Sequence, residues 1–132
     1  MRSASAALPA DAGLHYALGL ALSRLKRSDE AIVELRQAVE LEPDRARYIY
    51  VYAVALNSAG HSDEAIAVLK SALTRHSDDR DILMALATFN RDVGRLEAAL
   101  EYAEQLATTA PNDRPLASFV QSLRDQVKKP NR

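Results

Sequence analysis

Cysteine is absent from the 132 residues. That excludes disulfides, a thiolate nucleophile, cysteine-held zinc and covalently attached haem, and it leaves the redox compartment open. An excess of one charge is missing too, since 17 Lys and Arg stand against 18 Asp and Glu for a net charge of −1. A nucleic-acid footprint needs a clearly basic domain or stripe, and a solvating acidic tail needs the opposite excess. Neither class fits, so nucleic acid is not an expected partner. Aromatic residues make up only 5%. No apolar run approaches the roughly 18 residues of a membrane helix, so no membrane span is expected. The opening Met1-Arg2-Ser3-Ala4-Ser5 lacks the apolar stretch of a secretory leader. The compartment stays undetermined, cytoplasmic by default and periplasmic if the chain belongs to a longer protein. What is present is one domain's length of chain, 48% apolar and rich in Ala and Leu, with four Gly and five Pro.

Chemistry-bearing motifs are as scarce as the residues that would build them. No glycine-rich phosphate cradle, nucleophile elbow or His-Glu-x-x-His sequence occurs. His61 and His76 fall in turns without zinc-ligand spacing and read as surface residues, and His15 reads as a packing residue. Asp78-Asp79-Arg80-Asp81 lacks the glycine and closing Glu of a calcium loop. It reads instead as a turn whose carboxylates cap a helix. No catalysis, metal or cofactor is expected. The basic residues Arg124, Lys128, Lys129 and Arg132 are expected to complement the negative end of a C-terminal helix.

The chain does repeat itself. Shifting it by 34 residues superposes 12–45 on 46–79 with twelve identities: Ala12/Ala46, Tyr16/Tyr50, Ala21/Ala55, Leu22/Leu56, Ser28/Ser62, Asp29/Asp63, Glu30/Glu64, Ala31/Ala65, Ile32/Ile66, Leu35/Leu69, Ala38/Ala72 and Asp44/Asp78. Chance supplies about three in such a composition. A second shift brings in 80–113 through Ala53/Ala87, Gly60/Gly94, Ala65/Ala99 and Asp79/Asp113. A fixed period of this length marks a repeat architecture.

Within each unit the apolar spacing is helical, with a break in the middle. Ile49, Tyr52, Ala53 and Leu56 share one helix face, and Gly60 ends that helix. Ser62 reads as the N-cap of the next helix, with Asp63 and Glu64 in its first turn. The pattern predicts helix pairs at 12–25 with 29–41, 46–59 with 62–75, and 80–93 with 96–109. Tyr48-Ile49-Tyr50-Val51-Tyr52 has strand propensity, which the repeat register overrides. Leu116, Phe119, Val120, Leu123 and Val127 form one stripe of a final helix at 114–129, a solubilising cap with polar Gln121, Ser122, Arg124, Asp125 and Lys128 outside.

These residues resemble the tetratricopeptide repeat family. The first unit matches its pattern with His15, Leu18-Gly19, Leu22, Ala31, Leu35, Ala38 and Pro43. The second supplies Ile49, Tyr52-Ala53, Leu56, Ala65, Leu69, Ala72 and Ser77, and the third Leu83, Leu86-Ala87, Asn90, Ala99, Ala103, Leu106 and Pro111. The resemblance implies an all-α solenoid of antiparallel helix pairs winding as a right-handed superhelix, about seven helices in a single domain over 12–129. Residues 1–11 are expected to be a mobile N-terminal segment and 130–132 a tail. Small residues at Gly19, Ala53 and Ala87 should let each first helix approach Ala31, Ala65 and Ala99 closely, and Pro43 and Pro111 should stop second helices. Asn90 and Leu106 depart from the pattern, which makes the third unit the expected loosest.

The resemblance also implies a concave groove lined by first helices. On this sequence the groove slots are Tyr16, Leu20, Arg24, Arg47, Tyr50, Val54, Asn57, Met84, Thr88 and Arg91, flanked by Ser23, Ser58 and Asp92. Tyr16 and Tyr50 offer large, rigid contact areas suited to anchoring a partner. Where some family members grip acidic chaperone tails with Lys, Asn and Arg, the inner slots here hold Tyr16, Leu20, Tyr50, Val54, Met84 and Thr88. An extended, partly apolar segment or an amphipathic helix is therefore the expected ligand, with Arg24, Arg47 or Arg91 meeting a polar edge. The expected function is therefore protein binding by a scaffold module. The alternative is a structural or accessory segment of a larger bacterial protein, since residues 46–57 resemble repeat tails attached to some cytochrome-like proteins. Leu14 and Leu18 should be uncovered at the N-terminal end, either beneath a preceding segment of a longer chain or, with the monomer as the default, in a homodimer.

Overall fold

The computed structural model describes residues 11–129. The expected tail at 130–132, and all of the expected N-terminal segment before residue 11, lie outside the described residues. Seven helices occupy the described chain: α1 (Ala12–Arg24), α2 (Ser28–Leu41), α3 (Ala46–Ser58), α4 (Ser62–Leu73), α5 (Arg80–Asp92), α6 (Leu96–Thr109) and α7 (Arg114–Lys128). The strand-prone stretch around Tyr50 lies inside α3, because a helical register buries Tyr48, Ile49, Tyr52, Ala53 and Leu56 together on one side. Two compact units divide the chain, one reaching Val68 and the other starting at Leu69.

The turn inside each pair is built the same way three times. Lys26, Gly60 and Gly94, spaced 34 apart, have φ of 62°, 90° and 87°. The next residue's amide reaches back to the first helix, from Arg27 to the Leu22 carbonyl (2.9 Å), His61 to Leu56 (2.8 Å) and Arg95 to Asn90 (2.8 Å). A left-handed residue followed by this long backward bond is the Schellman stop, and it satisfies carbonyls the helix end would otherwise strand. Two of the first helices and α7 start on an aspartate. Asp11, Asp79 and Asp113 accept from the Leu14, Ile82 and Leu116 amides at 3.0, 3.0 and 2.9 Å. Second helices α2 and α6 start without a side-chain cap but carry acidic first turns, Asp29 with Glu30 and Glu97. Ser62 is the first helical residue of α4 rather than its cap, and its hydroxyl donates to Asn57 Oδ1 at 2.8 Å.

Proline ends two second helices as its sterics require. The residue before each is forced out of the helical region, Glu42 to φ −134°, ψ 76° and Ala110 to φ −143°, ψ 67°. In the first unit of the fold, α1 and α2 meet where Gly19 leaves no room. A Cβ built there would stand 2.6 Å from Leu35 Cγ and Cδ2 and 3.5 Å from the Ala31 carbonyl oxygen. In the second unit Leu83, Ala87, Ala99, Ala103, Leu106, Leu116, Val120 and Leu123 form one core cluster, to which α7 contributes the last three. The expectation that the third repeat is loosest is overturned. Leu106 is fully buried, and Asn90 is 2% exposed with its Nδ2 donating to the Leu86 carbonyl at 2.8 Å. It is α1 that buries least, only Ala12 and Gly19.

Candidate functional site

One concavity in the first unit collects several of the expected groove residues. Leu20 and Ser23 of α1, Ser28 of α2, and Tyr50, Val51, Val54, Ala55 and Ser58 of α3 enclose a pocket of about 320 Å³. These elements converge because Gly19 draws α2 against α1, and because positions 50, 54 and 58 recur at the spacing of one helix face. The walls are aliphatic with one phenol, and three serine hydroxyls sit among them; among the described residues no charged side chain lines the pocket. Leu20, Tyr50 and Val54 are expected groove slots and Ser23 and Ser58 their flanks, whereas Ser28, Val51 and Ala55 are additions the structure makes. Ser28 is legible in the sequence only as a repeated helix start. Val51 and Ala55 stand beside the expected slots, so their part depends on how α3 is rotated.

The remaining slots make individual contacts. Tyr16 stacks on Tyr48, ring centroids 4.5 Å apart, and its hydroxyl accepts from Arg47 Nε at 3.3 Å. Arg47 also lies over the Tyr50 ring, its guanidinium carbon 5.8 Å from the centroid. Arg24 is exposed in the last turn of α1. Asn57 is half-buried and holds the Ser62 hydroxyl. In the second unit Met84 packs against the core cluster and Thr88 Oγ1 donates to the Ala85 carbonyl at 3.2 Å. Arg91 donates to Asp92 at 3.1 Å and lies 5.6 Å from the Phe119 centroid.

Polar pairs outside these slots are local fastenings. Arg36 Nε donates to the Tyr52 hydroxyl at 3.1 Å, and that bond holds the guanidinium above its ordinary pKa. His15 fills a half-buried position and its Nδ1 meets Glu34 Oε1 at 2.8 Å, so it is a polar link across the first pair and not an apolar filler. His76, expected at the surface, is half-buried. Arg124 turns to Glu104 on α6, 3.1 Å away, instead of serving its own helix end. Asp79 caps α5 as expected. Among the described residues no three His, Cys, Asp or Glu side chains gather to hold a metal ion, and no helix is long and apolar enough to cross a membrane.

Helix hairpins recurring every 34 residues, each closed by the same left-handed turn, define a helical-repeat protein. Tetratricopeptide repeat family patterns match residues 56–123 and, separately, 16–75. The chain belongs to the tetratricopeptide repeat family. No curated protein matches its sequence. Solved structures share the fold at low identity. The first repeat domain of Spaghetti (RPAP3), bound to HSP90 peptide SRMEEVD, is similar at TM-score 0.80 and 14% identity, over 89% of this chain and 94% of that one. The Sgt2 repeat domain from Aspergillus fumigatus is similar at TM-score 0.78 and 16% identity, over 92% and 86%. A tetratricopeptide repeat protein from Parabacteroides merdae reaches TM-score 0.80 and 19% identity, over 89% of this chain and 47% of its own. The fold supports a protein–protein interaction module, and domains of this family are typically non-enzymatic.

Proposed function

We propose that this chain is a monomeric interaction module that binds an extended, partly apolar segment or amphipathic helix of another protein through Tyr16, Leu20, Arg24, Arg47, Tyr50, Val54 and Asn57 of its first unit. The pocket under Leu20, Tyr50 and Val54 carries this reading. It is an uncharged recess of side-chain size, and such recesses favour an apolar anchor with a few hydrogen bonds from a serine rim. The solved relative bound to SRMEEVD carries an acidic peptide, but among the described residues no cation lines this pocket to hold carboxylates. Specificity here therefore rests on an apolar side chain and not on a charged tail.

The test is a selection of displayed random 12-residue peptides against the folded chain, with SRMEEVD titrated as a second probe. Selected peptides are expected to share an aliphatic or aromatic anchor. They should lose at least tenfold in affinity to Leu20→Asp and Val54→Arg variants whose helicity is unchanged, a loss typical of a removed anchor. SRMEEVD is expected not to bind. Selected peptides that bind both variants as tightly as the parent, or tight binding of SRMEEVD, would overturn the proposal.

A further inference from the structure

Helix α7 continues the register of the first helices. Asp113 caps it as Asp79 caps α5, and Leu116, Val120 and Leu123 are buried at the places that Tyr48, Tyr52 and Ala55 hold in α3. Within the second unit α5, α6 and α7 therefore follow one another as α1, α2 and α3 do within the first. By that register the recess under Leu20, Tyr50 and Val54 has a counterpart, bordered by positions 88, 91, 96, 118, 119, 122, 123 and 126.

Two of those positions are filled differently. Phe119 stands where the first recess has Val51 as a wall, and Arg91 stands where it has Ser23. The half-buried Phe119 ring packs against the core cluster, and the Arg91 guanidinium carbon lies 5.6 Å from its centroid. Arg91 is itself steadied by Asp92, with Nη2 and Oδ1 3.0 Å apart. A hollow of about 480 Å³ does lie in this unit, but further out, along residues 94–98 with Gln126, Val127 and Lys129. Of its lining, only Leu96 and Gln126 match the first recess, at Ser28 and Ser58. The space nearer the core, which valine leaves open in the first unit, is taken up by a phenyl ring in the second.

What the ring covers has the chemistry of the first recess. Its floor is the apolar cluster containing Leu83, Ala87, Val120 and Leu123. Thr88, Ser118 and Ser122 take the register places of Leu20, Tyr50 and Val54 and bring hydroxyls to the border. An apolar floor with a few hydroxyls around it suits an uncharged ring.

We propose that Phe119, held by Arg91, is a built-in anchor. Its ring fills, from within the chain, a second recess that would otherwise receive an aromatic side chain of a partner. Position 51 leaves one recess open and position 119 closes the other, so the chain offers a single anchor site. The inference concerns a different unit from the proposed binding pocket and is tested with that pocket disabled, so either can fail alone.

The test places first-unit residues in the second unit. Arg91→Ser and Phe119→Val are combined with Leu20→Asp, which disables the first recess, and displayed random 12-residue peptides are selected on that chain. Selected peptides are expected to carry Phe, Tyr or Trp. They should bind at least tenfold more tightly than to the chain with Leu20→Asp alone, where Phe119 and Arg91 remain in place. Should the triple variant lose helicity, Phe119→Leu replaces Phe119→Val, keeping more apolar contact with the cluster, and the expectation is the same. Peptides that bind both chains equally, or a selection that yields none, would overturn the proposal. So would selected peptides without an aromatic residue, which would show that the opened space is not shaped for a ring.

Discussion

Gly19 shows how one missing side chain sets the spacing of a helix pair. Glycine inside a helix normally costs about 1 kcal/mol relative to alanine, so Gly19→Ala would stabilise α1 if nothing stood nearby. Leu35 does stand nearby: it is fully buried, with Cγ and Cδ2 2.6 Å from where the methyl would fall. Overpacking of this kind costs typically about 1–3 kcal/mol, which outweighs the propensity gain. Gly19→Ala is therefore expected to lower stability by about 1 kcal/mol in urea denaturation, and an increase would show that α2 can move aside freely. Ala53 and Ala87, at the same register, are fully buried; a methyl already fits there. The first pair alone carries glycine at this position.

At the scale of elements, the three hairpin turns share a backbone and differ in sequence. Lys26 holds φ 62° where the other two turns have Gly60 and Gly94. A left-handed conformation costs an ordinary L-residue roughly 1–2 kcal/mol, and glycine returns part of that as greater freedom in the unfolded chain. Lys26→Gly is expected to stabilise the protein by about 0.5–1 kcal/mol, read as a higher urea midpoint with unchanged slope. A lower midpoint would mean that the Lys26 side chain contributes packing that outweighs the strain. Comparing such positions shows what the sequence discloses. The 34-residue period disclosed every helix pair and the turn glycines, because the same backbone problem is solved by the same residue type. It hid Lys26, where the solution is kept without the residue. It also misjudged Asn90, whose amide meets its own helix's Leu86 carbonyl, a bond that spacing alone does not reveal. The pairing of Tyr16 with Tyr48, and the turn of Arg124 to Glu104, escaped for a related reason. Sequence spacing fixes a face, whereas the partner depends on rotamers and on the rotation of the neighbouring helix.

On the scale of the whole molecule, a repeat protein must finish its stack, because each hairpin leaves an apolar face for the next. Helix α7 answers this at the C-terminal side by being two-faced. Leu116, Val120 and Leu123 are buried in the core cluster with Leu83, Ala103 and Leu106, while Gln121, Ser122, Arg124, Asp125 and Lys128 face water. If the cap works by apolar burial, its contribution concentrates in those three residues and its outer surface is nearly neutral. Leu123→Ala leaves a cavity beside fully buried neighbours, and such truncations cost about 2–5 kcal/mol. Ser122→Ala, one residue away and exposed, should stay within about 0.5 kcal/mol of the parent. Urea denaturation of the two variants, with light scattering at matched concentration, separates the explanations. Leu123→Ala is expected to unfold at clearly lower urea and to scatter more as the face beneath α7 opens. Equal midpoints for the two would mean that α7 rests on the stack without holding it, and that something other than apolar burial closes that end.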